Sequence, residues 1–196
     1  MVSTPSPVLD IARRAELRAE GGYAWFALIP SGQPGENSIA DVRDELEVAL
    51  NATVRVVTAG TAPVHKLVST ITERSDDIVL ICDLDGWGDN DWAAFDIQRS
   101  ALERRGAMMF VLSAASLLRL SNIAPNIRSY IGGSIFQLAS AGGILTNPER
   151  DSRIKDLESH YGISSQDVIE KAEQHALALD PNFVEWLVLL GRGDLV

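Results

Sequence analysis

The sequence predicts an α/β fold: a doubly wound, mainly parallel five-stranded sheet followed by a small helical appendage at the C-terminal end. Three observations carry that expectation. Apolar, β-rich runs alternate with helical patterns along most of the 196 residues, which is the order that parallel strands and crossover helices produce. The apolar runs are nearly continuous instead of alternating, so both faces of each strand are expected to be buried. Beyond Pro148 the β-rich runs stop and only helical patterns continue. The expected division is an α/β domain over 1–146 and a helical extension over 147–196.

The elements follow in order. A proline-containing tail precedes a helical pattern over 8–19, stopped by Gly21-Gly22. Strand 23–29 leads into a helix over 38–50, with Ser38 as the expected N-cap and Asp41 three residues on as an imperfect capping-box partner. Strand 53–57, helix 63–74, strand 77–82 and helix 92–105 come next. Strand 107–112, helix 114–121 and a closing strand over 134–138 complete the sheet. The appendage contains helical patterns over 149–161, 166–178 and 181–190. The last of these, Phe183-Val-Glu-Trp186-Leu-Val-Leu-Leu190, is apolar on most faces and must pack on the core, on its two companions or on another protein. Docking within the chain is the favoured expectation, with Trp186 a candidate contact for a partner.

Composition narrows the function classes. With 46% hydrophobic and 22% charged residues the chain can bury a substantial core. A formal net charge of −10 and the absence of a basic run argue against nucleic acid, whose backbone is bound by clustered Lys and Arg. No apolar stretch approaches the roughly 18 residues that span a bilayer, and the start lacks the pattern of a signal peptide. The single cysteine, Cys82, sits in an apolar run, as a buried small hydrophobe would. Cytoplasmic residence in a reducing compartment is the resulting expectation.

The chemistry-bearing candidates lie after the first and third strands. Ser31-Gly32-Gln-Pro-Gly35-Glu36-Asn37-Ser38 is laid out like the phosphate-binding loop G-x-x-x-x-G-K-[ST], in which backbone N–H groups cradle phosphates and the lysine reaches the β and γ phosphates. Aligned on Ser38, the segment has Asn37 for the lysine, Glu36 for the second glycine and Ser31 for the first. Only the hydroxyl survives, and a carboxylate at Glu36 repels phosphate. Asp83 and Asp85 end the third apolar run, where an open α/β sheet gathers ligands and where a P-loop protein holds magnesium; capping of the polar turn that follows is the alternative. Asp83-Leu-Asp85-Gly86 also matches the first motif of haloacid dehalogenase-like phosphatases, with Ser113 suited to the second. Two strands precede it, however, and Trp87 replaces the usual threonine.

His65, His160 and His175 are far apart in sequence and lack metal-ligand spacing, so no metal site is expected. Gly132-Gly133-Ser134 lacks the second glycine of a nucleophile elbow, and no catalytic residue is assigned. Trp87 and Trp92 bracket the acidic turn as candidate interaction residues, although covering a core edge is the commoner role for such rings. Arg99 is a further candidate contact, with a salt bridge to Asp96 or Glu103 the ordinary alternative.

Taken together, Arg13-Arg14 and the segment after it, the altered loop, the strand ending Asp83-Leu-Asp85, Phe95-Asp96-Ile-Gln-Arg99-Ser100, Phe110-Val-Leu-Ser113 and Ala124-Pro125-Asn126 resemble one group. The chain is similar, over residues 8–138, to the NTPase module of STAND-type P-loop proteins of bacterial conflict and signalling systems, in particular to their degenerate branch. The resemblance implies that Gly32, Gly35, Asn37, Ser38, Asp83 and Asp85 mark a vestigial nucleotide site. It further implies a non-catalytic adaptor without a cofactor, acting through another protein from the same operon or through self-association. The alternative it leaves is a divergent nucleotide switch that still takes ATP and magnesium, with a cation borrowed from Arg99, Arg128 or a partner.

Overall fold

Alternate residues of the strands divide into two apolar faces, as period-two geometry requires. In the computed structural model, which describes residues 24–30, 36–74, 77–103, 106–138, 147–178 and 180–196, strands β1 (Ala24–Pro30), β2 (Val54–Thr58), β3 (Ile78–Cys82), β4 (Ala107–Val111) and β5 (Ile135–Leu138) form one sheet. Its order is β2-β3-β4-β1-β5, and every pairing is parallel. The expected helix over 8–19 lies outside the described residues.

Helix α1 (Glu36–Leu50) connects β1 to β2. The return across the sheet runs through α2 (Val64–Thr72), α3 (Asp89–Ile97), a 3-10 turn (Arg99–Leu102), α4 (Ala114–Ile123) and α5 (Pro125–Ile131). The step from β1 to β2 and the later steps travel in opposite directions. Right-handed crossovers therefore place α1 on one face and α2 to α5 on the other. The two cores reflect this: Phe26, Leu28, Leu80 and Met109 pack with Val42 and Leu46 of α1, while Trp25, Ile81 and Phe110 pack with Leu67, Phe95, Leu117 and Ile127. The doubly wound architecture expected from the sequence is the one observed.

Several boundaries move. Helix α1 begins at Glu36, so Ser38 stands inside its first turn and is not its N-cap. The expected helix 92–105 starts earlier, where Asp91 accepts from the N–H of Gly88 at 3.0 Å, and stops at Ile97 in a 3-10 turn. Helix α5 is additional to expectation. Proline at its first position matches the preference of that site, because the missing N–H has no partner there in any case.

The C-terminal part contains α6 (Asn147–Tyr161), α7 (Ser165–Glu173) and α8 (Pro181–Leu189). Helix α8 is buried on two sides: Val184 and Val188 belong to the core above the sheet, whereas Trp186, Leu187 and Leu189 join Leu157 and Val168 in a second cluster. It is docked within the chain, and the appendage shares its core with the α/β part. Among the described residues, no helix is long and apolar enough to cross a membrane.

Candidate functional site

Ligands of doubly wound sheets collect outside the carboxyl ends of the strands, where adjacent crossovers leave for opposite faces. Here that point lies between β1, which feeds α1, and β4, which feeds α4. It is bordered by the acidic turn after β3 and the β4–α4 junction. Gly32 and Gly35 lie outside the described residues, and Asn37 and Ser38 are defined only as backbone of the first turn of α1.

The acidic turn is defined in detail. Asp83 leaves β3 with φ 59, a left-handed conformation in which Asp is among the better tolerated non-glycine residues. Its carbonyl accepts from Gly60 N at 3.1 Å, one step beyond the bond from Ala59 N to Cys82 O at 2.9 Å. Gly60 itself has φ 52, and a Cβ there would stand 3.3 Å from Asp83 Oδ2. The turns after β2 and β3 are thus bonded to each other through backbone, and Asp83 keeps an exposed side chain.

Asp85 is engaged instead with α4. Its Oδ1 accepts from Ser113 N at 3.0 Å and from Ser116 Oγ at 2.5 Å, while Ser113 Oγ accepts from Ser116 N at 3.1 Å as the N-cap. Charge-assisted bonds of this kind at a helix start satisfy N–H groups that the helix leaves unpaired and favour the dipole. Farther along, Arg119 Nη1 donates to the carbonyl of Trp87 at 2.6 Å and its Nε approaches Asp89 at 3.6 Å. The turn is fastened to α4 at both ends. The cap is on α4, a helix farther along the chain, and not on the polar turn that follows Asp85, where Asp91 accepts from Gly88 N. A nucleophile and general-acid pair needs both to face a substrate, and Asp85 faces the two serines.

Trp87 and Trp92 lie under this turn, 3% and 0% exposed. Their rings meet at 4.9 Å, Trp87 meets Phe95 at 5.3 Å and Phe95 meets Phe110 at 6.1 Å. Trp186 is likewise fully buried, stacked on Phe183 at 6.2 Å. None of the three rings is offered to a partner. Each fills a core, the commoner fate of such side chains.

Arg99 and Arg128, the two cations considered for a nucleotide, sit toward the amino ends of the strands. Arg99 follows α3 just before the chain enters β4, and its Nη1 reaches Asp96 O at 3.5 Å. The carboxylates expected to pair with it are used elsewhere: Asp96 accepts from Asn126 Nδ2 at 2.6 Å and Ile127 N at 2.8 Å, and Glu103 accepts from Tyr130 Oη at 2.7 Å. Arg128 donates to the carbonyls of Gly132, Gly193 and Val196. Burial pushes its pKa down and nearby Asp194 partly restores it.

Sequence reasoning named Asp83, Asp85 and Ser113 but missed Ser116, Arg119 and the Asp96–Asn126 lock. The serine pair, three apart at a strand-to-helix junction, was the available signal for a cap. The other two contacts join residues more than 25 positions apart and leave no local trace. Among the described residues, no cluster of three His, Cys, Asp or Glu side chains is arranged to hold a metal ion. Comparison with known proteins finds no family model that matches the chain and no curated protein similar to it in sequence.

Proposed function

We propose that this protein is a non-catalytic interaction module, an adaptor or regulator built on a P-loop-like α/β core. Its proposed setting, resting on the STAND resemblance, is a bacterial defence or signalling system with a protein partner. The supporting observation is the engagement of Asp85. A carboxylate that accepts from a helix-capping N–H and a serine hydroxyl works as a bracket between β3 and α4, and taking magnesium would require those bonds to be exchanged. The sequence adds Asn37 in place of the phosphate-binding lysine, and a missing charge in a poorly hydrated site weakens phosphate binding by several kcal/mol. Arg99 and Arg128 are bonded toward the other end of the sheet.

A thermal-shift titration with Mg-ATP tests this reading. The expected result is no saturable stabilisation. A saturable rise reaching about 2.7 kcal/mol at a hundred times the apparent dissociation constant would overturn it in favour of a divergent nucleotide switch.

A further inference from the structure

The sheet ends at β2, which pairs with β3 alone among the described strands. Thr53 O accepts from Ile78 N at 3.0 Å, and Ala59 N donates to Cys82 O at 2.9 Å. In a parallel ladder alternate residues turn their backbone to the neighbouring strand, so Thr53, Arg55, Val57 and Ala59 face β3 while Val54, Val56 and Thr58 face away. Glu47 of α1 marks that outer side, because its Oε1 accepts from Val54 N at 3.3 Å. Among the described residues, no acceptor meets the N–H of Val56 or Thr58. Natural sheets protect such an edge with a proline, a bulge or a charged side chain. Here the strand reads Val-Arg-Val-Val-Thr, and its one charge is bonded to the end of α2, where Arg55 donates to Thr70 O and Ile71 O at 2.7 and 2.9 Å.

We propose that the outer edge of β2 is a docking site for an extended segment of a partner protein, which adds to the sheet as a further strand and carries Lys or Arg at alternate positions. The outward N–H groups require carbonyls at strand spacing, which the backbone of an extended chain supplies. Val54 and Val56 pack on the α1 side of the sheet, so alternate side chains of an added strand reach the same helix. The charge there is acidic. Helix α1 carries Glu36, Asp41, Asp44, Glu45 and Glu47 against Arg43 alone, and Glu47 stands at the edge itself. Pairing β2 with a second copy of this chain would bring two such α1 helices side by side, a like-charge contact that disfavours it. The inference rests on the adaptor reading and gives that reading a surface.

Amide chemical-shift and hydrogen-exchange titrations of the full chain with the blocked peptide acetyl-Thr-Lys-Val-Lys-Val-Lys-Thr-amide test it. The peptide is expected to shift the amides of Val54 to Thr58 saturably and to slow exchange at Val56 and Thr58, leaving exchange at Arg55 and Val57, already bonded to β3, unchanged. Replacing its lysines by glutamates should weaken binding about threefold or more. Val56→Pro removes an outward N–H that the fold does not use, a change that edge strands tolerate, and should weaken the peptide about tenfold. Thr58→Pro, at the strand end, repeats the test should Val56→Pro unfold. The proposal is overturned if no saturable shift appears up to the solubility of the peptide, if the shifts centre elsewhere, if the acidic peptide binds as tightly, or if a folded proline variant binds like the parent. Sedimentation of the chain alone showing a dimer that Val56→Pro dissolves would also overturn it, in favour of a second copy. Failure here is distinguishable from failure of the adaptor reading, because the Mg-ATP titration reports on the crevice between β1 and β4 and not on the sheet edge.

Discussion

At the residue scale, the two carboxylates of one short turn carry different loads, and single substitutions separate them. Asp85 accepts two hydrogen bonds that begin α4. Asp85→Ala removes both and is expected to lower unfolding stability by about 1–2 kcal/mol, measured by urea denaturation. Asp85→Asn keeps an acceptor oxygen in the same place, so it should retain most of that stability. Were Asp85 a magnesium ligand, the asparagine variant would instead be the one to lose a metal-dependent stabilisation. Asp83 contributes through its backbone, because its carbonyl meets Gly60 and its φ is 59. Glycine adopts that conformation without a Cβ penalty, so Asp83→Gly should stay within about 1 kcal/mol of the parent. A larger loss would mean that the exposed Asp83 carboxylate makes a stabilising contribution of its own.

At the element scale, helix ends decide what was legible in the sequence. The three central strands β1, β3 and β4 were readable because they are continuous apolar runs, and both of their faces are buried in the two cores. The edge strand β2, with Arg55 inside it, is buried only in part, so the expectation that both faces of every strand are covered fails there. Helix termini were less readable, since a cap depends on which polar group comes within reach in space. Helix α5 illustrates the limit: its start is held by Asp96 from another element, through Asn126 and Ile127, a contact that no local window contains. The candidate site was legible in its position at the strand ends and illegible in its bonding, because Ser116 and Arg119 meet the acidic turn only after folding. The joint between α6 and α7 gives an acid-dependent prediction. Glu158 accepts from Ser165 N and Oγ at 2.9 and 2.7 Å, and Asp167 accepts from Ser164 N and Oγ at 3.1 and 2.7 Å. Hydrogen bonding by these serines holds both pKa values below the ordinary carboxylate range. A depressed folded pKa means stabilisation that is complete above the unfolded values near 4 and is lost as pH falls through the lower folded ones. Amide hydrogen exchange at Ser164 and Ser165 should therefore gain protection steadily less well as pH drops below about 4, after correction for intrinsic rates. Glu158→Gln should flatten that dependence at Ser165; an unchanged profile would show that the carboxylate does not govern the joint.

At the scale of the whole molecule, the question is whether the C-terminal helices form an attachment or part of one cooperative unit. Helix α8 contributes Val184 and Val188 to the core above the sheet and Trp186, Leu187 and Leu189 to the cluster with α6 and α7. Trp186 Nε1 donates to Ser165 Oγ at 3.2 Å, so the same helix is bonded outward as well as packed inward. Behind it, Gly193 lies so close to Ile135 of β5 that a Cβ would stand 2.9 Å from Ile135 Cδ1, and Arg128 ties the carbonyls of Gly193 and Val196 to α5. Removing α8 would strip cover from both clusters at once, which couples its unfolding to that of the sheet. Native-state hydrogen exchange should therefore place the amides of Leu187 to Leu189 in the same high-energy opening as those of Leu80 and Met109 in the central strands. The amides of α6, whose exposed face carries Arg150, Asp151 and Lys155, should open at lower free energy. Arg128→Met removes the side-chain donor of all three carbonyls and should lower the global value by about 1–3 kcal/mol, with α8 and the strands falling together. If α8 alone lost protection while β3 and β4 kept theirs, the C-terminal part would be a separable unit, and the single shared core inferred from its packing would be wrong.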